Sequence, residues 1–411
     1  MPTFIKPGFW EKKQKGYDHW LNLDELITSL SPPAASSPLK YNANGTGIEP
    51  VLGGNDASGL NAVISGGIIN EANGNYSTIG GGSCNTSCGL NSVIGGGCCN
   101  ESSGNYGTIG GGIFNIASNE ASTVSGGVGN TASGINSAIV GGEGNTASNR
   151  IAFVGGGGSN TASGYASIVG GGQNNATFGC LSTVGGGQSN TSLGCLSTVS
   201  GGCLNTASSN LSTVGGGSQN FASGKFSTIS GGYKNTTCDS SSTVGGGGYN
   251  SASYSRATIS GGVYNTASGN KSTVGGGSDN ISSYQFSTVG GGFLNTASCT
   301  ATTVGGGQSN IASTYHATVG GGQCNIASGQ CSFIGGGYYN SVSTSHSSIV
   351  GGRNNSTSSF ELVVISGSYI TADRHCATFV NNLSIKNIPT SSAGLPSGSV
   401  WRNGTTLTIV P

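Results

Sequence analysis

Charge is scarce in this chain. Of 411 residues only 7% are charged, and 14 Lys and Arg balance 14 Asp and Glu. Zero net charge without a basic cluster excludes a nucleic-acid binder. The carboxylates are too scattered for a glycosidase pair. Histidine is rarer still. His19, His316, His346 and His375 are the only four, and none stands beside a nucleophile and an acid. No catalytic residue, metal or cofactor is therefore expected, and the chain does not read as an enzyme. Long apolar runs are also missing. None approaches the ~20 residues needed to span a bilayer, so no membrane insertion is expected. The start, Met1 to Trp10, lacks the apolar core of a secretory leader. Disordered chains are also poor in apolar residues, but they usually carry many charges.

Glycine is what the chain has instead: 79 residues, against roughly 7% of an ordinary globular protein. With Ser, Thr and Asn filling much of the rest, folding must come from a repetitive, backbone-driven architecture. A repeat is present. Ile or Val recurs at Ile64, Ile79, Ile94 and onward to Val274, Val289, Ile334 and Ile349. The step is 15 residues throughout, which gives 20 copies without insertion or deletion. Asn stands six residues later in every copy: Asn70, Asn85, Asn100, Asn265, Asn340 and Asn355 are examples. So strict a period means one structural unit stacked on the last.

One unit shows the design. Asn265-Thr266-Ala267-Ser268-Gly269 and Ser272-Thr273-Val274-Gly275-Gly276 are separated by short turns. Strand side chains alternate between faces. Ala267, Val274, Asn265, Ser272 and the glycines are expected inside; Thr266, Ser268 and Thr273 outside. The fold class expected is all-β, a parallel β-solenoid or β-roll of about 20 fifteen-residue rungs. Stacked at ~4.8 Å per rung, these make a shaft of roughly 95 Å. The Asn column is expected to form a ladder that satisfies its own buried amides. Each rung offers about one Val and one Ala to the core, on the order of 3 kcal/mol of burial. Ordering its backbone costs about 15–30 kcal/mol. Sharing the core among chains would help, so a homotrimer is expected.

The alternating halves Ser-x-Val-x-Gly and Asn-x-Ala-x-Gly resemble the head repeats of trimeric autotransporter adhesins, the YadA-like β-roll, over about residues 64–355. The resemblance implies a trimer of left-handed parallel β-rolls with binding on the outer surface. This chain departs from it by Val or Ile in place of Ala in one half, and by a Gly that lengthens one turn. Neither that family's signal peptide nor its C-terminal membrane barrel is expected here.

The ends differ from the middle. Residues 1–45 are expected to be an aromatic attachment module and linker, 46–358 the shaft, and 359–411 a C-terminal β-cap that trimerises the chain and forms its tip. Nine of the 28 charged residues fall in the first 40. Phe9, Trp10 and Trp20 are bunched there, and Asp24 to Leu30 reads as a short helix closed by Pro32-Pro33. This segment resembles the short N-terminal segments of phage and viral fibre proteins. It is expected either to dock on a virion or baseplate protein or to cap the first rung. Residues 361–365, 376–380 and 383–385 read as strands. Ser399 to Val410 reads as a hairpin turning at Asn403-Gly404, with Trp401 on its first strand and Leu407 on its second. The tip resembles the C-terminal ends of phage tail-fibre proteins.

Other features invite chemistry and do not carry it. The glycine triplets lack a following Gly-Lys-Ser/Thr and a strand–helix context, so no nucleotide site is expected. The Asn column is never Asp, so no calcium ladder is expected. Among the 12 cysteines, Cys84, Cys88, Cys98 and Cys99 have near-zinc spacing without a nearby His. Cys180 and Cys195 share a turn column on adjacent rungs, as do Cys84 and Cys99, and rung spacing suits a disulfide; free thiols in variable slots are the plainer alternative. Thr fills 13 of 20 places in one outward column, unbroken from Thr183 to Thr318. Such a ladder resembles an ice-binding face, although Phe153, Ile168 and Phe333 interrupt the column, and Thr suits any solvated strand.

The reading that joins these features is a structural fibre or spike protein of a phage or virus. Its shaft would be rigid and trimeric, its location the virion, and its partner a host-surface glycan or protein, met at the tip or at turn slots such as Phe293-Leu294 and Tyr338-Tyr339. The alternatives are a cellular surface adhesin or filament, and an ice-binding solenoid.

Overall fold

The structure is a computed structural model that describes residues 39–41, 48–50, 54–382, 388–403 and 406–410. It divides into two units, Met1–Asn55 and Asp56–Pro411. In the first, Leu39–Tyr41 pairs antiparallel with Ile48–Pro50. The expected helix over 24–30 and Phe9, Trp10 and Trp20 lie outside the described residues. The second unit is a parallel β-solenoid of about 21 turns at 15 residues each. It starts at Asp56, which bridges Glu71 on the next coil.

Each coil touches the next along three ladders rather than the two expected. Thr266–Ala267 pairs in parallel with Ile281–Ser282, and Thr273–Val274 with Thr288–Val289. A third column of single bridges runs from Ile68 to Arg353 through positions such as Ser278 and Phe293. The strands are two residues long, not five, since a 15-residue loop must bend several times to close. Hydrogen bonds therefore run between coils all round the circuit. Thr266 N–H donates to Asn280 C=O at 2.8 Å, Thr273 N–H to Ser287 C=O at 2.9 Å, and Ser278 N–H to Gly292 C=O at 2.9 Å.

Alternation puts the expected side chains inside. Asn265, Ala267, Ser272 and Val274 are completely buried, while Thr266, Ser268 and Thr273 are half-buried on the outer faces. The glycines are the correction. Gly269 is buried, but Gly275 and Gly277 are exposed, because the chain has already entered its turn. There the second glycine of each pair is required twice over. At Gly217 φ is +81°, and a Cβ would lie 2.1 Å from the Gly232 carbonyl oxygen. No side chain fits such a contact. The other turns place two further residues per coil in the left-handed region, nearly all non-glycine (Gly129 and Gly144 are exceptions), including β-branched Ile69 at φ 56° and Ile151 at φ 61°.

The interior is closed by one chain. Ile79, Val274, Val289 and Ile334 are fully buried, and Ile64 packs half-buried against the first of two apolar clusters. The core-sharing argument for a trimer therefore loses its basis, since no core column is left for a second chain to cover. Three serines in the Ala column pair across the coil: Ser87 with Ser92 at 2.7 Å, Ser192 with Ser197 at 2.6 Å, Ser282 with Ser287 at 2.7 Å; Thr237 does not, and its buried hydroxyl is unbonded although Ser242 faces it. Ser102 has no such partner because Gly107 occupies the facing place, and its buried hydroxyl is unbonded.

The stack outlasts the repeat. Ser348–Gly351 pairs with Val364–Ser366 through a register shift, and Val364–Ser366 pairs with Thr378–Val380. Ile365 is buried in the same core. Residues 364–380 thus continue the coil beyond the expected boundary at 358. The expected strand at 383–385 lies outside the described residues. Val400–Asn403 and Thr406–Ile409 form an antiparallel hairpin, but Asn403, expected in the turn, pairs with Thr406 at the end of the ladder.

The Asn column is the tightest part of the interior. Asn205 N–H donates to Asn190 Oδ1 at 3.0 Å, and its Nδ2 donates to Gly201 C=O at 3.0 Å and Gly217 C=O at 2.8 Å. Its own Oδ1 accepts Asn220 N–H at 3.0 Å. Asn205→Ala deprives Gly201 C=O on its own coil, and Gly217 C=O and Asn220 N–H on the next, of a partner. It is expected to lower the unfolding free energy by about 3 kcal/mol, read as a fall in urea midpoint, while Ser218→Ala on the outside changes it by less than about 0.5 kcal/mol.

Candidate functional site

Because the interior is uniform, chemical individuality lies on the outer columns. The bridging column shows this over consecutive coils: Ser278, Phe293, Gln308, Gln323, Tyr338 and Arg353. Residues 15 apart become neighbours, so the register assembles clusters that a linear reading misses. Tyr249 and Tyr264 stack with ring centroids 4.7 Å apart, and Tyr233 meets Tyr249 edge-on at 5.3 Å. Lys234 Nζ lies 5.2 Å from the Tyr233 ring centre and 5.5 Å from that of Tyr249. A hydrogen bond with Tyr233 raises the pKa of both Lys234 and Tyr249. Tyr338 and Tyr339 meet edge-on at 4.4 Å, and Arg353 lies over Tyr369 at 4.9 Å. A hydrogen bond with Cys324 raises Tyr339. These groups form exposed aromatic patches, and none is a nucleophile–base pair.

The cysteines divide. Cys180 and Cys195 are joined by a disulfide across one coil step, their Cα atoms 4.6 Å apart. The other ten are free. Cys98 and Cys99 Sγ atoms lie 3.1 Å apart. Burial, then hydrogen bonding to Cys98, pushes the Cys99 thiol well above its ordinary value. Burial and the nearby Glu101 and Glu71 raise Cys88. His316, Cys331 and His346 share one turn column on consecutive coils. Among the described residues no group of three His, Cys, Asp or Glu is arranged to hold a metal ion, and no helix is long and apolar enough to cross a membrane.

At the tip, Trp401, Asn403 and Leu407 lie in the hairpin strands, and Gly404 lies outside the described residues. Val400 is 43% exposed and Ile409 65%, apolar surface that a lone hairpin leaves uncovered. The Thr column is continuous: Thr183 through Thr318 pair coil to coil in register, each half-buried. Phe153, Ile168 and Phe333 stand exposed in the same column outside that run.

No protein-family model matches the chain, and no curated protein matches its sequence. Its chemistry must be argued from its own surface.

The disulfide has a structural setting. The Ala column is interrupted by Thr177 and Ser192 on consecutive coils, and the apolar core splits there, one cluster ending at Val169 and the next starting at Val184. Cys180 and Cys195 tie those two coils together. Replacing both by Ser is expected to destabilise the shaft by about 3 kcal/mol, the chain-entropy value for a loop of this length, with non-reducing peptide mapping showing the pair linked in the parent. Cys99 is expected to alkylate more slowly than free cysteine at pH 8, because a raised pKa depletes the thiolate, and to speed up as pH rises.

Proposed function

We propose that the protein is the shaft of an attachment fibre or spike of a virus or phage. The observation that carries this reading is the pairing of a near-invariant, self-closed interior with outer columns that change from coil to coil. An interior bonded along its whole length gives stiffness, and a stiff rod holds contact residues away from its point of anchorage. The exposed aromatic patches supply contacts suited to a host glycan or protein. Nothing in this role requires catalysis.

The assembly we propose is a homotrimer held by its tip rather than by a shared core. A two-stranded hairpin is marginal in isolation. Exposed Val400 and Ile409 give three such hairpins an apolar surface to bury together. The N-terminal aromatic segment would then dock on a virion or baseplate protein. Negative-stain images of the purified protein are expected to show a thin rod roughly 100 Å long, with a solution mass of three chains. Deleting residues 1–45 should leave the rod intact but absent from particles; particles that still carry it would overturn the docking assignment.

A second reading, ice binding, is favoured by the ten-coil Thr run. Its hydroxyls repeat at about 4.8 Å on a face with small neighbours. Thermal hysteresis in a nanolitre osmometer, abolished by Thr243→Leu with Thr258→Leu, is the outcome it requires; freezing like a buffer control rejects it.

A further inference from the structure

One turn column carries almost only small residues. Gly224, Asp239, Gly269, Cys299, Thr314 and Gly329 are typical of it. Aromatic residues occur in it twice, at Tyr254 and Tyr284, and they flank Gly269 with one coil between them. The result is an open notch of about 300 Å³, lined by both tyrosines with Ser268, Gly269, Asn270, Ser283 and Gln285. Tyr254 is 50% exposed and Tyr284 54%. The floor cannot be filled from within, since a Cβ on Gly269 would lie 2.0 Å from the Tyr284 carbonyl oxygen.

The dimensions and chemistry select a ligand class. Equivalent positions two coils apart are separated by about 9.6 Å. That gap takes one saturated six-membered ring, with carbon contacts at about 3.5–4 Å on each side. The floor and rim supply hydroxyl groups of Ser268 and Ser283 and amides of Asn270 and Gln285, which can both donate and accept. No charged side chain lines the notch, so it offers nothing to a phosphate, sulfate or carboxylate. Lys271, the nearest cation in sequence, lies over the Phe286 ring, 4.8 Å from its centre.

We propose that Tyr254 and Tyr284, standing on either side of Gly269, form a binding notch for one uncharged hexopyranose unit of a glycan. The inference rests on the attachment reading and names the ligand class of that surface. The aromatic rings cover the apolar C–H faces of the sugar, and the serine and amide groups bond its hydroxyls.

The test is titration of the full-length protein with cellohexaose, mannohexaose and chitohexaose, and with hexagalacturonate as an acidic counterpart, followed by saturation-transfer NMR. At least one neutral oligomer is expected to bind. Tyr254→Ala and Tyr284→Ala should each weaken it about five- to tenfold, Ser268→Trp should abolish binding by filling the notch, and Tyr165→Ala, an exposed tyrosine on another coil, should leave it unchanged. Unchanged circular dichroism shows that the variants fold. Binding of hexagalacturonate alone, no binding of any neutral oligomer at about 5 mM, or equal binding by the parent and both tyrosine variants overturns the notch. The fibre reading fails separately. A chain that binds the sugars through these tyrosines yet is never found on particles keeps the notch and loses the fibre.

Discussion

The asparagine ladder is the interaction on which the rest depends. Each side-chain amide bonds its own turn and the following coil, and the backbone N–H of the same residue donates to the preceding asparagine's Oδ1. It therefore fixes the turn geometry and the coil spacing together. A buried amide left without partners is costly, but a column of them in register leaves none. This is why the position tolerates neither Asp, whose carboxylate cannot donate, nor an apolar residue. The glycine at the second place of each pair belongs to the same device. Its missing Cβ lets the neighbouring carbonyl approach, and that carbonyl is one the ladder uses.

Hydrophobic burial plays the smaller part. One Ile or Val and one small residue per coil make a narrow core, and some of its polar intrusions pair while others do not. Ser192 and Ser197 bond each other, whereas Ser102 faces Gly107 and stays unbonded. Where two intrusions fall on successive coils and the apolar column parts, a covalent bond joins those coils. The backbone carries most of the structure, and the disulfide lies where side chains contribute least.

The period, the parallel stacking and the inward columns were legible because each is a one-dimensional property of the chain. Asn265, Ala267 and Val274 needed only the alternation of strand faces. The adjacency of Cys180 and Cys195 also followed from the period. The third ladder was not legible, since positions such as Ser278 and Phe293 share no residue type; backbone bonding alone unites them. Nor did the non-glycine left-handed turns at Ile69 and Ile151 announce themselves, because inter-coil bonds impose a conformation their side chains disfavour. The notch at Tyr254 and Tyr284 stayed hidden for a different reason. It is two residues thirty apart, and its meaning lies in the small residue between them. Local pairing departs from the repeat at both ends: an antiparallel pair before Asp56, and a register shift after Ile349.

A self-closed coil whose upper surface complements the lower surface of the same unit has no preferred neighbour. Any turn can sit on any other, and connectivity alone decides their order. Such a rod can be lengthened or shortened by duplicating or excising whole turns in the gene, with no interior refitting. Its reach is thus adjustable in fixed increments, like a ruler cut at its marks, while each turn's outward side chains remain free to diversify independently of the rest.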